Sequence, residues 1–452
     1  MTIKGLILRA SLISRRQMHV ISRSITNVKP DSPTPLNLKH YKLPSHDRMN
    51  PNIYMPLVLF YSNPQPSDYT TSIANLLKIS LSKTLSKYYP FAGRLGSSGS
   101  YVECSDQGIN FLEVQIACNL SEILEKAPVK DEEEGFGHLF PPCSIWDKVS
   151  SSPLVLVQLN HCSCGGIAIA VCLSHRIADA STLLSFLSYW ASVSRNPGDV
   201  ENLAQLAPCF VQGLLPNSYD DGFVATDILI SEKNWITAEM LFYNSKIAEL
   251  KAYQEKQDKL HGVVANQNYT RNELVTALLY RCALAAAATS NSGAYPLSVL
   301  FQAINMRRLI DPPLPKTSVG NLMSPTHISA NTMNETELHS LIGQMRKEKK
   351  QLTGIKSLVR KGFLQLIEKY AKDNYKLYVV SSICNFPLYD RLDFGWGRPV
   401  NASVVDAPAV NIFTMMDTPN GDGIKVILGL EKEDMKNFRA DKELITYASF
   451  YH

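Results

Sequence analysis

The stretch Ile167-Ala168-Ile169-Ala170-Val171-Cys172-Leu173-Ser174-His175-Arg176-Ile177-Ala178-Asp179 runs an apolar segment directly into a histidine and an aspartate four positions apart. Side chains alternate faces along a strand, so Ile167, Ile169, Val171, Leu173 and His175 share one face while Ala168, Ala170, Cys172 and Ser174 share the other. His175 continues a bulky apolar row, and from a regular strand neither Cys172 nor Ser174 can pair with it. An imidazole so placed is either a satisfied core histidine or a base, because an ordinary pKa of about 6.5 lets it take a proton near neutrality. Asp179 also has two readings. In a helical turn it shares a face with His175 and can orient the ring; otherwise it caps a helix or pairs with a distant arginine.

Working outward, Leu154 to Asn160 reads as a partner strand, joined to the first through Gly165-Gly166 as a hairpin. Ser181 reads as the N-cap of a helix carrying Leu183, Leu184, Leu187 and Trp190. Tyr54 to Tyr61 reads as a further strand. Ile73, Leu77, Leu81 and Leu85, four apart, predict an amphipathic helix that stops at Pro90. In the second half a helix is expected near 237–260, and another starts at the capping box Thr270-Arg271-Asn272-Glu273. Strands are expected near 296–305, 376–383, 409–416 and 423–430, polar helices between 335 and 375, and a helix at the end. Strand and helix patterns mix in both halves, and 452 residues exceed what one core serves, so two α/β layered domains are expected. Pro- and Gly-rich segments over 194–222 mark the crossover between them, and a polar loop covers about 127–152.

Composition is that of an ordinary globular chain, 45% hydrophobic and 19% charged. A net charge of +4 with scattered Lys and Arg gives no basis for nucleic-acid binding, and the acidic run Asp131 to Glu134 reads as a solvated loop. Nine irregularly spaced cysteines without a C-x-x-C pair indicate a reducing compartment rather than a disulfide framework. His161, Cys162, Cys164 and His175 do not suit a metal: on a strand the two cysteines share one face and His161 opposes them. No apolar run reaches the roughly 20 residues of a membrane span. Residues 1–17 are Arg/Ser-rich and free of acids, as in a transit peptide, but Met18 is the more natural start.

Asp393-Phe394-Gly395-Trp396-Gly397-Arg398-Pro399 is the second unusual stretch, with two glycines flanking a tryptophan at a tight corner. Together with His175-x-x-x-Asp179 and several blocks in order, it resembles the BAHD family of plant acyl-CoA-dependent acyltransferases. Those blocks are Lys29-Pro30-Asp31-Ser32-Pro33-Thr34-Pro35, Tyr89-Pro90-Phe91-Ala92-Gly93-Arg94-Leu95, Cys164-Gly165-Gly166, Asn305-Met306-Arg307, Gly320-Asn321 and Phe386-Pro387-Leu388-Tyr389-Asp390. The resemblance covers roughly residues 19–452, and the early blocks are most like the branch that acetylates alkaloids and benzyl alcohol. Three departures stand out: Ala180 in place of a glycine, Ile383 in place of a tryptophan, and one extra residue between Tyr389 and Asp393.

The resemblance implies an α/β fold of two similar-sized mixed-sheet layered domains, chloramphenicol-acetyltransferase-like, with the active-site channel at their interface. An N-terminal domain over 18–208, a crossover over 209–227 and a C-terminal domain over 228–452 are expected. It implies acyl transfer, foremost acetyl from acetyl-CoA, to a hydroxyl of a plant specialised metabolite such as an alkaloid. An acyl-sugar, a volatile-alcohol substrate and a non-catalytic small-molecule binder on the same fold are the alternatives. In the resemblance His175 is the general base, while Trp396 and Ser381 are candidate oxyanion donors. Asp179 is structural and pairs with Arg307, and Asp393, Gly395 and Gly397 shape the tryptophan loop. Acyl-CoA is a co-substrate rather than a resident cofactor, and no metal is involved. A cytoplasmic monomer without nucleic-acid or membrane partners is expected, or an organellar one if residues 1–17 target it.

Overall fold

The computed structural model describes residues 20–62, 64, 72–125, 136–141, 152–212, 235–262, 268–352, 354, 363–404 and 410–450. The expectations for residues 1–17 and Met18, for most of the 127–152 loop including Asp131 to Glu134, and for the crossover beyond 212 lie outside the described residues. Strands Val155–Cys162 and Ile167–Ser174 form the expected hairpin, pairing from Val155↔Leu173 to His161↔Ile167. Every residue of Ile167–Ser174 is buried, so the alternation read from the sequence sorts side chains between two covered faces. Tyr54–Tyr61 pairs antiparallel on the other side, Tyr54 opposite Ser174 and Tyr61 opposite Ile167. Val20–Val28 and Ile109–Ile116 complete one flank of this six-stranded sheet.

Helices Ile73–Lys87 and Ala180–Arg195 pack together on the sheet, and the Trp190 indole N–H donates to Ser80 Oγ at 3.0 Å. The N-cap of the second helix is Asp179, not Ser181. Asp179 has extended backbone angles and its carboxylate accepts the Thr182 N–H, so the helix already runs at Ala180 and Ser181 lies inside it.

A seven-stranded sheet forms from the second half, in the order Met323–Ser329, Ser298–Asn305, Lys376–Ser382, Ile412–Asp417, Gly423–Glu431, Trp235–Tyr243 and Ser449–Phe450. The helix expected over 237–260 begins instead as a strand. Trp235–Tyr243 pairs along its whole length with Gly423–Glu431, and only Asn244–Leu260 is helical. The capping box at Thr270 and Glu273 is present and starts Arg271–Ser290, which lies against this sheet with a nearly continuous buried row. Among the described residues no helix is long and apolar enough to cross a membrane.

The two sheets share chain. Asn401–Ser403, from the second half, adds to the first sheet beside Tyr54–Tyr61. Lys425, buried in the second sheet, donates to Ala402 O at 2.6 Å and Asn401 Oδ1 at 3.0 Å, with Glu239 Oε1 3.8 Å away. Met416 and Ile427 of the second sheet join the apolar core of the first. The join between the sheets is therefore held by apolar packing and a buried ammonium.

Candidate active site

His175 follows the last residue of Ile167–Ser174, and the strand register decides its surroundings. Because Tyr54 lies opposite Ser174, the residue before Tyr54 meets the one after Ser174: His175 N–H donates to Ile53 O at 2.8 Å. Arg176 reaches back to Arg48 O, at the end of the short helix Ser45–Arg48. This corner of the first sheet is thus stitched to residues 45–53. His175 keeps part of its surface open, whereas its neighbours Ser174, Arg176 and Ile177 are buried.

From the second sheet, strand Ser298–Asn305 delivers Arg307 and the return to Met323–Ser329 delivers Gly320 and Asn321. Arg307 holds Asp179 in a two-pronged pair, Nη1 to Oδ2 at 2.8 Å and Nη2 to Oδ1 at 3.0 Å. Thr182 N–H and Leu322 N–H also donate to this carboxylate, at 2.8 and 3.1 Å. Burial by itself would raise the Asp179 pKa, but the Arg307 charge and these donors more than offset it and hold it below the usual carboxylate range. Thr182 Oγ1 adds a second stitch, accepting Gly320 N–H and donating to Gly320 O. Asp179 is consequently committed to its own four donors and does not reach the imidazole.

The imidazole partner is Asn321, whose Oδ1 lies 2.9 Å from His175 Nδ1. The orientation of that amide follows from its other end. Asn321 Nδ2 is 2.8 Å from Asp47 Oδ1 and 2.8 Å from His175 O, both acceptors. Turning the amide over would set oxygen against oxygen twice, so Oδ1 must face the ring. An acceptor opposite Nδ1 requires a proton on Nδ1, which leaves the lone pair on Nε2. Burial lowers the His175 pKa below 6.5, partly countered by its own backbone carbonyl, Asp179, the Asn321 bond and the Ala178 backbone, so the ring is neutral near pH 7. The corner therefore presents a neutral, oriented imidazole with Nε2 free to take a proton.

Asp393 Oδ1 accepts the N–H groups of Gly395 and Gly397 at 2.8 and 2.9 Å, closing the loop on itself. Both glycines have φ above +100°, where a side chain is strained. Trp396 stacks on Phe394 and meets Tyr61 edge-on. The structure does not bring this indole to His175. Tyr61 stands at the opposite end of its strand from Tyr54, about 23 Å away at 3.3 Å per residue. The loop also touches Ser194, fifteen residues of helix beyond Asp179, about 22 Å at 1.5 Å per residue. Trp396 is therefore removed from the oxyanion candidates, and its buried Nε1 has no hydrogen-bond partner among the described residues.

Ser381 is half-buried near the end of Lys376–Ser382, an interior strand parallel to Ser298–Asn305, and so lies toward the same end of the sheet as Arg307. Of the departures, Ile383 is buried and its N–H bonds Met415 O, while the segment that carries the extra residue includes a turn closed by Arg391 N–H to Pro387 O, with Leu388 buried beneath it. His161 pairs with Glu113 at 3.1 Å. The sequence reading missed Asp47, Thr182 and the imidazole-binding role of Asn321. One signal for the first was available: His46-Asp47-Arg48 places three ionisable groups just ahead of an apolar strand, and all three are buried.

Comparison with known proteins agrees with this architecture. The family model described as "Transferase family" matches residues 18–445. A 17,18-epoxy-17-hydroxycur-19-ene N-malonyltransferase of Strychnos nux-vomica is 36% identical over 453 residues, covering 98% of this chain and 93% of that protein. Deacetylvindoline O-acetyltransferase of Catharanthus roseus is 34% identical over 459 residues, covering 94% and 97%. The crystal structure of vinorine synthase superposes with a TM-score of 0.76 at 28% identity, covering 95% of this chain and 98% of that one. The chain belongs to this transferase family, the BAHD acyltransferases, and is an acyl-CoA-dependent acyltransferase.

Proposed function

We propose that the enzyme moves an acetyl group from acetyl-CoA to a hydroxyl of an alkaloid or similar specialised metabolite, with Nε2 of His175 as general base. The observation that carries the reading is the Asn321 amide: its oxygen faces Nδ1, so the basic lone pair is on Nε2. The acceptor O–H gives its proton to Nε2 while its oxygen attacks the thioester carbonyl carbon. Ser381 is the candidate donor to the resulting oxyanion. Collapse breaks the C–S bond, and the departing thiolate takes the proton from Nε2, which yields ester and free CoA and resets the ring. A lowered imidazole pKa helps both halves, because the ring is neutral at the start and releases its proton readily at the end.

The names of two relatives divide over the choices left open, one an O-acetyltransferase and the other an N-malonyltransferase. Retention of the acetylating branch's early blocks, Lys29 to Pro35 and Tyr89 to Leu95, favours acetyl and a hydroxyl. The site would lie in a channel between units over 18–208 and 228–452 of a cytoplasmic monomer. The test is thiol release from acetyl-CoA and malonyl-CoA with alcohol and amine acceptors, for the enzyme and His175→Ala. Acetyl-CoA turnover that requires an alcohol and vanishes in the variant is expected; preference for malonyl-CoA with an amine would replace the substrate reading, and full activity of His175→Ala would end the base assignment.

A further inference from the structure

Asp47 is a wholly buried carboxylate on the short helix Ser45–Arg48, and one of its oxygens does all its bonding. Oδ1 accepts the backbone N–H of Asn321 at 2.6 Å and its Nδ2 at 2.8 Å. Oδ2 has no hydrogen-bond partner among the described residues; the nearest candidate is Nε2 of buried His46, 4.0 Å away. Leaving a buried carboxylate oxygen without a protein partner is costly, so a group kept there needs a reason. The backbone is shaped to admit it: Gly320 has φ +130°, and a Cβ added there would meet Oδ2 at 3.2 Å. Asp47 and Asn321 come from opposite halves of the chain, and the bonds between them act with the one to His175 O to hold the amide one way round.

We infer that Asp47 is a positioning residue for the transfer reaction, acting through Asn321 to keep His175 in its Nδ1–H form with Nε2 basic. The inference rests on the base assignment made above for His175. Without the carboxylate, Asn321 loses the acceptor of its backbone N–H and one of the two acceptors that orient its amide, leaving His175 O alone to oppose a turn. A turned amide presents Nδ2–H to Nδ1, which favours the tautomer with hydrogen on Nε2, and that nitrogen then cannot take the acceptor proton. The ionisable groups whose charges act at this corner are His46, Tyr41, Asp179 and Arg307, and Asp179 and Arg307 are tied to each other rather than to Asp47. What Asn321 requires is an acceptor, not a charge. Asn at position 47 can offer its oxygen to Asn321 and its Nδ2–H to the open His46 Nε2.

The experiment compares Asp47→Ala and Asp47→Asn by kcat, KM for acetyl-CoA, melting and the 15N shifts of labelled histidines, with His175→Ala identifying the His175 signals. Asp47→Ala should lose on the order of a hundredfold in kcat with KM little changed, and its His175 signals should move to the Nε2–H pattern. Asp47→Asn should keep the Nδ1–H pattern and kcat within about threefold. Unchanged kcat or unchanged tautomer in folded Asp47→Ala overturns the inference, as does a loss in Asp47→Asn equal to that of Asp47→Ala. If Asp47→Ala does not fold, a shifted tautomer in Asp47→Asn overturns it alone. Failure of the base assignment is seen separately, as retained activity of His175→Ala.

Discussion

Helix Ala180–Arg195 has one sequence motif at each end, and the two ends are built differently. At its N-terminus four segments, 45–53, 174–182, 305–307 and 318–322, converge with their polar groups turned toward one another. At its C-terminus Phe394 and Trp396 pack among Tyr61 and Trp190 with faces and edges in contact. The first end presents an oriented, partly open ring whose Nε2 accepts no hydrogen bond among the described residues. The second spends its polar side chains on its own backbone, Asp393 on two glycine N–H groups, Ser194 on Phe394 O and Tyr61 on Leu392 O, and Trp396 Nε1 is buried with no hydrogen-bond partner among the described residues. The longer and more distinctive motif thus marks the packing end, and the shorter one marks the chemical end.

The largest expected effect tests the chemical end. His175→Ala should lower kcat by a factor of about 10² to 10⁴ while melting stays close to that of the parent, because general-base catalysis contributes on this scale; a stopped assay with a parallel thermal scan checks it. Next comes Asp179→Ala, which leaves the buried Arg307 guanidinium without its counter-charge. A loss of about 3–5 kcal/mol in denaturant unfolding is expected, and an unchanged midpoint would break the contrast between anchor and base. Gly395→Ala forces a side chain into φ +112° and should cost about 1–2 kcal/mol with little change in KM for acyl-CoA. The smallest effect belongs to Trp396→Phe, which keeps the ring stack: kcat within about threefold and stability within about 1 kcal/mol. A hundredfold fall in kcat without a change in melting would return Trp396 to the active site.

Acidification sharpens the same contrast. The lowered pKa of buried His46 and His175 means that the unfolded chain binds their protons first. Stability is then fully present above about pH 6.5 and falls as pH drops through the lower folded values. The Asp179 contribution has the same sign in a more acidic window: it is present above the unfolded carboxyl pKa of about 3.9 and is lost as pH falls through its lowered folded value. Unfolding free energy measured from pH 8 to about 2 should therefore decline in two stages, and His46→Phe should weaken the first and spare the second.

Much of the fold was legible because local periodicity reflects which face is buried. The hairpin at Gly165, the helix from Ile73 and the capping box at Thr270 are present as read, since each depends on neighbours in sequence. The error at 237–260 has the same origin in reverse: Trp235–Tyr243 is a strand because Gly423–Glu431 pairs with it, a partner nearly two hundred residues away. Ser181 misled because it resembles a cap, whereas the aspartate two residues earlier has both the backbone angles and the carboxylate to fill that place.

The sequence by itself determined the family, the acyl-transfer chemistry and the two motif positions, because residue types in a fixed order survive without coordinates. It also marked Asp179 and Arg307 as partners through the resemblance. Only the tertiary structure decided which nitrogen of His175 is free, since that depends on an amide held between an aspartate from position 47 and a carbonyl at 175. It alone removed Trp396, because a distance of about 20 Å arises from strand register and helix rise acting together. A tautomer and a separation are properties of three-dimensional neighbours, and those neighbours come from opposite halves of the chain.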